Sequence, residues 1–424
     1  MKREKSPHWL ARAMVFVWFL VLSSAAWAET DVTAMVRLNK GLLMYDRLTK
    51  QSYLDVSVTN ISTEVLLTPV KVVIDSISTT TVTVANADGV TDDGKPFLLF
   101  TTATGQLLSG ATIAAKRLSF SNPVAARFTY TTKVLAELPD AAEDVGVSGG
   151  SVTTIDPANP AMGITVEFPA GALTAPSTVT IDTTSPPPSP PSSPTFGPTF
   201  DLRPSGQFSQ PVTIKVSYDE AQLAQNNIVD ESSLRLYTFD AASGLWLALE
   251  GAVVDTEHNV VIGQTNHFSH FCLIANTLFR HGDKRSSHYA PVLFVHGINL
   301  GVGLLGLNKN AFVGDSYSTF GSAVRGLYDL DNGPNVYTLN YDTSIDITLT
   351  AATLADAVKK IKADTGAAHV NVIAHSMGGL VARAYIQGMA RKLLLPGVFN
   401  SLLDEAATRQ TSHERACLSI INML

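Results

Sequence analysis

Apolar and polar positions along the chain change their period more than once. From residue 31 to about 136 the period is two: Leu54, Val56 and Val58 alternate with Asp55, Ser57 and Thr59. Val70, Val72 and Ile74 repeat the pattern, as do Val82 and Val84. Turn clusters such as Asn86-Ala87-Asp88-Gly89 and Asp92-Asp93-Gly94 separate the runs. Half-buried strands at this spacing predict an antiparallel β-sandwich. From about residue 146 to 276 a second β region follows, with strands predicted at Ile164/Val166/Phe168, Val179/Ile181, Val212/Ile214/Val216 and Leu234/Leu236/Tyr237. Pro169-Ala170-Gly171-Ala172-Leu173 turns the chain after the first of these. Residues 185–198 hold seven of the 21 prolines, which predicts an extended loop of this domain.

After a short basic connector around 280–285 the pattern changes again. Residues 291–295, Pro-Val-Leu-Phe-Val, are continuously apolar, as expected for a strand buried on both faces of a parallel sheet. A helix is expected at 318–328 and a strand at 335–341. Leu354, Val358 and Ile361 recur at helical spacing with Lys359, Lys360 and Lys362 on the other face. A strand at 370–374 and a helix at 377–391 complete an alternation that means a parallel α/β sheet. The expected fold class is therefore multidomain: two N-terminal all-β sandwich-like domains, 29–145 and 146–276, and then a parallel-sheet α/β domain over 285–424.

The first 28 residues fit none of these. Lys2, Arg3, Lys5 and Arg12 precede an apolar run at 13–22, and Ala26-Trp27-Ala28 is a small-x-small site. This is the three-part pattern of a secretory signal peptide cleaved after Ala28. The apolar run is shorter than the ~20 residues a membrane span needs. A secreted or cell-envelope protein is expected. The composition, 45% hydrophobic and 16% charged over 424 residues, is that of a folded chain, and a net charge of −7 argues against a nucleic-acid partner. Cys272 and Cys417 are too few for a disulfide framework or a four-thiolate zinc site, and whether they pair is open. His267 and His270, three apart on a strand, would face opposite ways. Asp329-Leu330-Asp331-Asn332-Gly333 lacks the acid that would close a calcium loop. No metal and no cofactor are expected. Asn60-Ile61-Ser62 is a formal glycosylation sequon.

The candidate chemistry lies where the last predicted strand meets its helix. Ala374-His375-Ser376-Met377-Gly378 is a small-x-Ser-x-Gly motif after an apolar strand and at a helix start, the setting of a nucleophile elbow. The serine backbone of such an elbow is strained, so its flanking positions must be small. Gly378 and Ala374 meet that need. The competing reading of Ser376 is an ordinary helix N-cap. His296-Gly297-Ile298 follows the strand at 291–295 and agrees with the elbow.

On these residues the chain resembles a known family. Segments 291–298 and 370–385 (VNVIAHSMGGLVARAY) look like α/β-hydrolase lipases, in particular small bacterial lipases with an AHSMG elbow and the related PGAP1-like esterases. Residues 164–173 and 267–271 resemble the ZU5-like β domains of surface and secreted proteins. The lipase resemblance implies Ser376 as nucleophile, with the backbone N–H groups of Met377 and Ile298 forming an oxyanion hole. His296, Gly297, Ala374, His375 and Gly378 become scaffold positions of the elbow and the oxyanion loop. It implies an ester or lipid substrate, with the β domains available for cell-surface or polymer contact. The family order is Ser, then Asp or Glu, then His. Asp404, Glu405 and His413 follow in that order, but no apolar strand separates them. The expectation is a partial α/β-hydrolase domain, truncated at its C-terminus, whose acid and base are not assigned. Two function classes stay open: a secreted serine esterase or lipase, and a non-catalytic surface or binding protein with an incomplete hydrolase domain.

Overall fold

The computed structural model describes residues 29–183, 187–188, 195–281, 290–297 and 335–392. The signal peptide expected at 1–28, the helix expected at 318–328, Asp329–Gly333, and Asp404, Glu405, His413 and Cys417 lie outside the described residues.

Alternation puts one face of each strand against an apolar partner, and two facing sheets result. In the first region one sheet runs Thr30–Asp31, Tyr130–Glu137, Leu66–Ile77, Pro96–Phe100, Gly89–Val90 in spatial order. The other runs Val36–Lys40, Gln51–Asn60, Thr112–Ser121, Thr83–Val84. Leu54, Val56, Val58, Val70, Val72 and Ile74 all point into the core between them. The formal sequon is closed to glycosylation in this fold. Asn60 is 0% exposed, and its amide donates to the carbonyls of Glu64 (2.7 Å) and Leu107 (3.0 Å).

The second sandwich begins earlier than the pattern placed it. Ala141–Val145 pairs with Ser177–Asp182, so residues assigned by periodicity to the first domain form an edge of the second. Its other strands follow the expected alternation, with Ile164, Val166, Ile181, Val212 and Ile214 in one core. The proline-rich segment joins two adjacent strands of one sheet, Ser177–Asp182 and Phe200–Arg203. Phe196, near its end, packs into the core. His267 ends a strand of one sheet and His270 opens a strand of the other, because the chain changes sheets at Phe268-Ser269. Cys272 is a buried free thiol.

The third region holds a four-stranded sheet among the described residues. Its strands are β1 (Thr277–His281), β2 (Val292–Val295), β3 (Val336–Asn340) and β4 (Asn371–Ala374), in spatial order β1-β3-β2-β4. β2 is parallel to both β3 and β4, and β1 is antiparallel to β3. The start of the expected basic connector is therefore the end of a strand, and Arg280 donates to Asn335 Oδ1 (2.9 Å). All four residues of β2 are 0% exposed, as a doubly covered parallel strand requires. Helix α1 (Ile347–Thr365) links β3 to β4 and buries Leu354, Ala357 and Ile361. Asp346 caps its start by accepting from Thr348 N–H, and Gly366 at φ 68° ends it. Helix α2 (Met377–Ile386) follows β4 and packs against α1. It stops five residues short of the expected 391; Gly388, at φ 69°, lies just past its end. No described helix is long and apolar enough to cross a membrane.

Candidate active site

β2 sits in the middle of the sheet, and the chain leaves its carboxyl end for one side and later returns on the other. Such a switch in strand order opens a crevice at the carboxyl ends of the parallel strands, where ligands bind in open α/β sheets. The loops that start there are His296-Gly297 after β2 and His375-Ser376 after β4. Val295 pairs with Ala374, so the two loops begin side by side.

Ser376 has φ 49° and ψ −119° and is exposed. A non-glycine residue there is outside the ordinary allowed regions and carries about 1–3 kcal/mol of strain. The surrounding contacts impose it. His375 N–H donates to Val295 O (3.1 Å), Gly378 N–H to His375 O (2.9 Å) and Gly379 N–H to Ser376 O (2.9 Å). The Ser376 side chain makes no capping bond to α2, which sets aside the plain N-cap reading of this serine.

Two glycines allow the close approach. A Cβ on Gly378 would lie 2.5 Å from the carbonyl oxygens of both Val295 and His296, so α2 presses directly on the end of β2. A Cβ on Gly297 would lie 2.7 Å from Ser376 Cβ and 2.9 Å from His375 O. The Gly297 backbone therefore lines the serine. Ala374, buried at the end of β4, meets the small-residue need on the other flank. Met377 opens α2, so its N–H has no partner four residues back within the helix. Ile298 lies outside the described residues.

His296 is 2% exposed and bonded through both ring nitrogens. Nε2 accepts from Tyr341 N–H (3.2 Å), and Nδ1 lies 3.0 Å from Gly297 O. Those partners call for a neutral ring with its proton on Nδ1. Burial pushes its pKa below the ordinary histidine value, despite the two backbone bonds. The Tyr341 ring stacks on the imidazole at 4.2 Å, and its hydroxyl donates to His296 O (2.7 Å). With both nitrogens occupied, His296 braces the loop and has none left to take a proton. Tyr341 was missed in the sequence; its one cue there is an aromatic at the end of a predicted strand. His375 is partly exposed beside Ser376.

Among the described residues no group of three or more His, Cys, Asp or Glu is placed to hold a metal ion. The arrangement that remains is an exposed, strained serine hydroxyl, a helix-start N–H and a glycine-lined loop, all at the carboxyl edge of a parallel sheet.

No curated protein matches the chain. Among solved structures, it is similar to an exo-β-N-acetylglucosaminidase of Vibrio harveyi in complex with N-acetylglucosamine, with 8% identity and a TM-score of 0.14 over 61% of this chain and 42% of that one. An inactive mutant of the same enzyme aligns over the same shares with a TM-score of 0.13. The chain thus spans under half the length of those structures. Residues 289–393, which include β2 to β4, α1, α2 and Ser376, match the family described as Lipase (class 2).

Proposed function

We propose that the third region is an α/β-hydrolase-type serine hydrolase acting on carboxylic esters, of lipase or esterase type. One observation carries the reading: Ser376 stands strained and exposed between β4 and α2, with the Gly297 backbone against it. The lipase match over residues 289–393 supports it. In this reading Ser376 Oγ attacks the ester carbonyl carbon. The carbonyl oxygen becomes an oxyanion that accepts hydrogen bonds from the N–H of Met377 and, in the family pattern, of Ile298. Each such donor contributes about 2.7–4 kcal/mol to the transition state. As the bond to the alkoxy oxygen breaks, the proton lost by Ser376 Oγ goes to the departing alcohol; an acyl-enzyme remains on Ser376, and water then adds to it, releasing the acid and returning a proton to Oγ. His296, Gly297, Ala374, His375 and Gly378 hold the geometry. The basic-then-apolar start with Ala26-Trp27-Ala28 supports export to the cell surface or medium. The resemblance of the second sandwich to ZU5-like domains supports a role in surface attachment.

The test is fluorophosphonate labelling with mass-spectrometric site mapping, and hydrolysis of p-nitrophenyl esters. Label on Ser376, with labelling and turnover both lost in Ser376→Ala, is the expected result. Turnover that survives in Ser376→Ala refutes the assignment. A folded chain that neither labels nor turns over favours the non-catalytic alternative.

A further inference from the structure

One end of the first sandwich carries a surface that neither its fold nor an esterase site accounts for. Val36–Lys40 and Met44–Asp46 both pair with Gln51–Asn60, and Gly41-Leu42-Leu43 bulges between them. The tight turn at 47–50 then leads into Gln51. Leu42 is 85% exposed, Met44 53% and Leu48 94%. Val124, at 66%, lies on the neighbouring loop, which is tied to this turn by Asn122 N–H donating to Lys50 O (2.9 Å). A depression of about 350 Å³ runs between the two loops, lined by Leu43, Met44, Tyr45, Ala126 and Phe128 among others. Turns favour glycine, proline and short polar residues. Leucine at 94% exposure on such a turn has no structural reason to be there.

The charge around these apolar side chains is mostly basic. Arg47, Lys50 and Arg127 are exposed about them. The one acid between residues 37 and 50 is Asp46, whose Oδ1 accepts from Leu48 N–H (2.8 Å) within the exposed turn, against three basic side chains. This basic tip stands on a chain whose net charge is −7. Apolar side chains ringed by Lys and Arg supply the two terms that bind anionic bilayers: burial at the headgroup–acyl boundary, and attraction to the surface potential. A second copy of the chain is the competing occupant, through the sheet edge. The bulge at Gly41-Leu42-Leu43 and the edge lysine Lys40 both work against edge-to-edge pairing.

We propose that this tip is a lipid-docking surface that seats the first sandwich on an anionic lipid aggregate, with Leu42, Met44, Leu48 and Val124 entering the interface. The proposal goes beyond the ester-hydrolase reading and holds or fails independently of it.

The experiment is co-sedimentation of the full chain with vesicles of phosphatidylcholine alone, and with about one-third phosphatidylglycerol. Ser376→Ala is used as background so that hydrolysis does not enter. Binding to the anionic vesicles that weakens with salt is expected. Leu48→Ser with Val124→Ser, and separately Arg47→Glu with Lys50→Glu, should each lower partitioning at least about tenfold. All four side chains are exposed, so the melting temperature should not move. Vesicle binding that ignores both pairs of substitutions overturns the proposal. So does a chain that avoids vesicles and instead forms a dimer that Leu48→Ser dissociates. Vesicle binding by a chain with Ser376 intact that shows no esterase activity would count against the hydrolase reading alone.

Discussion

Gly378 and Gly379 are neighbours in the first turn of α2, yet alanine should act in opposite directions at the two. At Gly378 the new methyl would lie 2.5 Å from two carbonyl oxygens, those of Val295 and His296, and 3.0 Å from Val295 C. These are backbone atoms at the end of β2, which is paired on both edges, so they cannot rotate away. Relief requires α2 to move off the sheet by about 1 Å to restore ordinary contact. Overpacking of this kind costs about 1–3 kcal/mol. Alanine recovers up to about 1 kcal/mol over glycine in a helix. The net for Gly378→Ala is a loss centred on about 1 kcal/mol, or a few degrees at roughly 2–4 °C per kcal/mol. At Gly379 a Cβ meets nothing within 4 Å, so Gly379→Ala keeps the helical gain and should raise the melting temperature by about 2 °C. Ser376 is joined to α2 through Met377, and a displacement of about 1 Å in a reacting group can lower a rate by about a hundredfold. Calorimetry of both variants, with rates of fluorophosphonate labelling, reads stability and geometry together. Shifts of the same sign, or a Gly378→Ala chain that labels and melts like its parent, would refute the close-packed elbow.

Three further outcomes follow from buried groups. Burial holds the His296 pKa below the unfolded value of about 6.5, so the unfolded chain takes up this proton first as pH falls, and stability is full above that value and declines below it. His296→Gln should lose less melting temperature than its parent between about pH 7.5 and 5.5, and equal losses would exclude the buried neutral ring. Tyr237→Phe removes a donor to the carboxylate of Asp342, which is 1% exposed, and should cost about 1–3 kcal/mol in a denaturant titration. An unchanged midpoint would show that this contact is not made in solution. The Cys272 thiol is buried and its pKa pushed up by that burial, so it should react with a thiol reagent only as the chain unfolds; rapid reaction of the native protein would contradict its placement.

Periodicity exposed the β regions because alternation is a local consequence of burying one face: Leu54/Val56/Val58 and Val212/Ile214/Val216 read the same in sequence and structure. The tight strand-to-helix turn at Ser376 was legible because its steric needs are local as well. A strained serine needs small neighbours, and Gly378 and Ala374 stand in the motif itself. Boundaries were less legible. Ala141–Val145 carries a strand of the second sandwich, yet only Val145 is buried, so no alternation marks it. Arg280 and His281 read as a basic connector because charge masks strand character at the edge of a sheet. The Tyr341 brace on His296 joins residues 45 positions apart, and no periodic signal reports such a contact.

The joint between the second sandwich and the third sheet bears on how the site is held. Only Ala275 and Asn276 separate a strand of one from β1 of the other. The joint is polar and buried. Asn276 Nδ2 donates to Thr353 Oγ1 (3.0 Å), and Thr353 donates to Asp230 (2.9 Å). Lys392 lies 3.1 Å from Asp230 and 2.5 Å from Asp356, and the two carboxylates outweigh burial to raise its pKa. The Tyr237 hydroxyl donates to Asp342. Buried ion pairs of this kind add little net stability, because desolvation offsets most of the attraction. Their effect lies in the comparison between docked states. Undocked, Asp230 and Tyr237 are satisfied by water. Docked out of register by a few ångströms, each would be buried without its partner, at a cost of several kcal/mol. The network therefore does little to drive docking and much to select one docked arrangement. Asp342 follows β3, and Thr353 and Asp356 belong to α1, which packs on α2 behind Ser376. The second sandwich is in this way part of the frame that holds the serine, and its angle to the sheet is set by the same side chains.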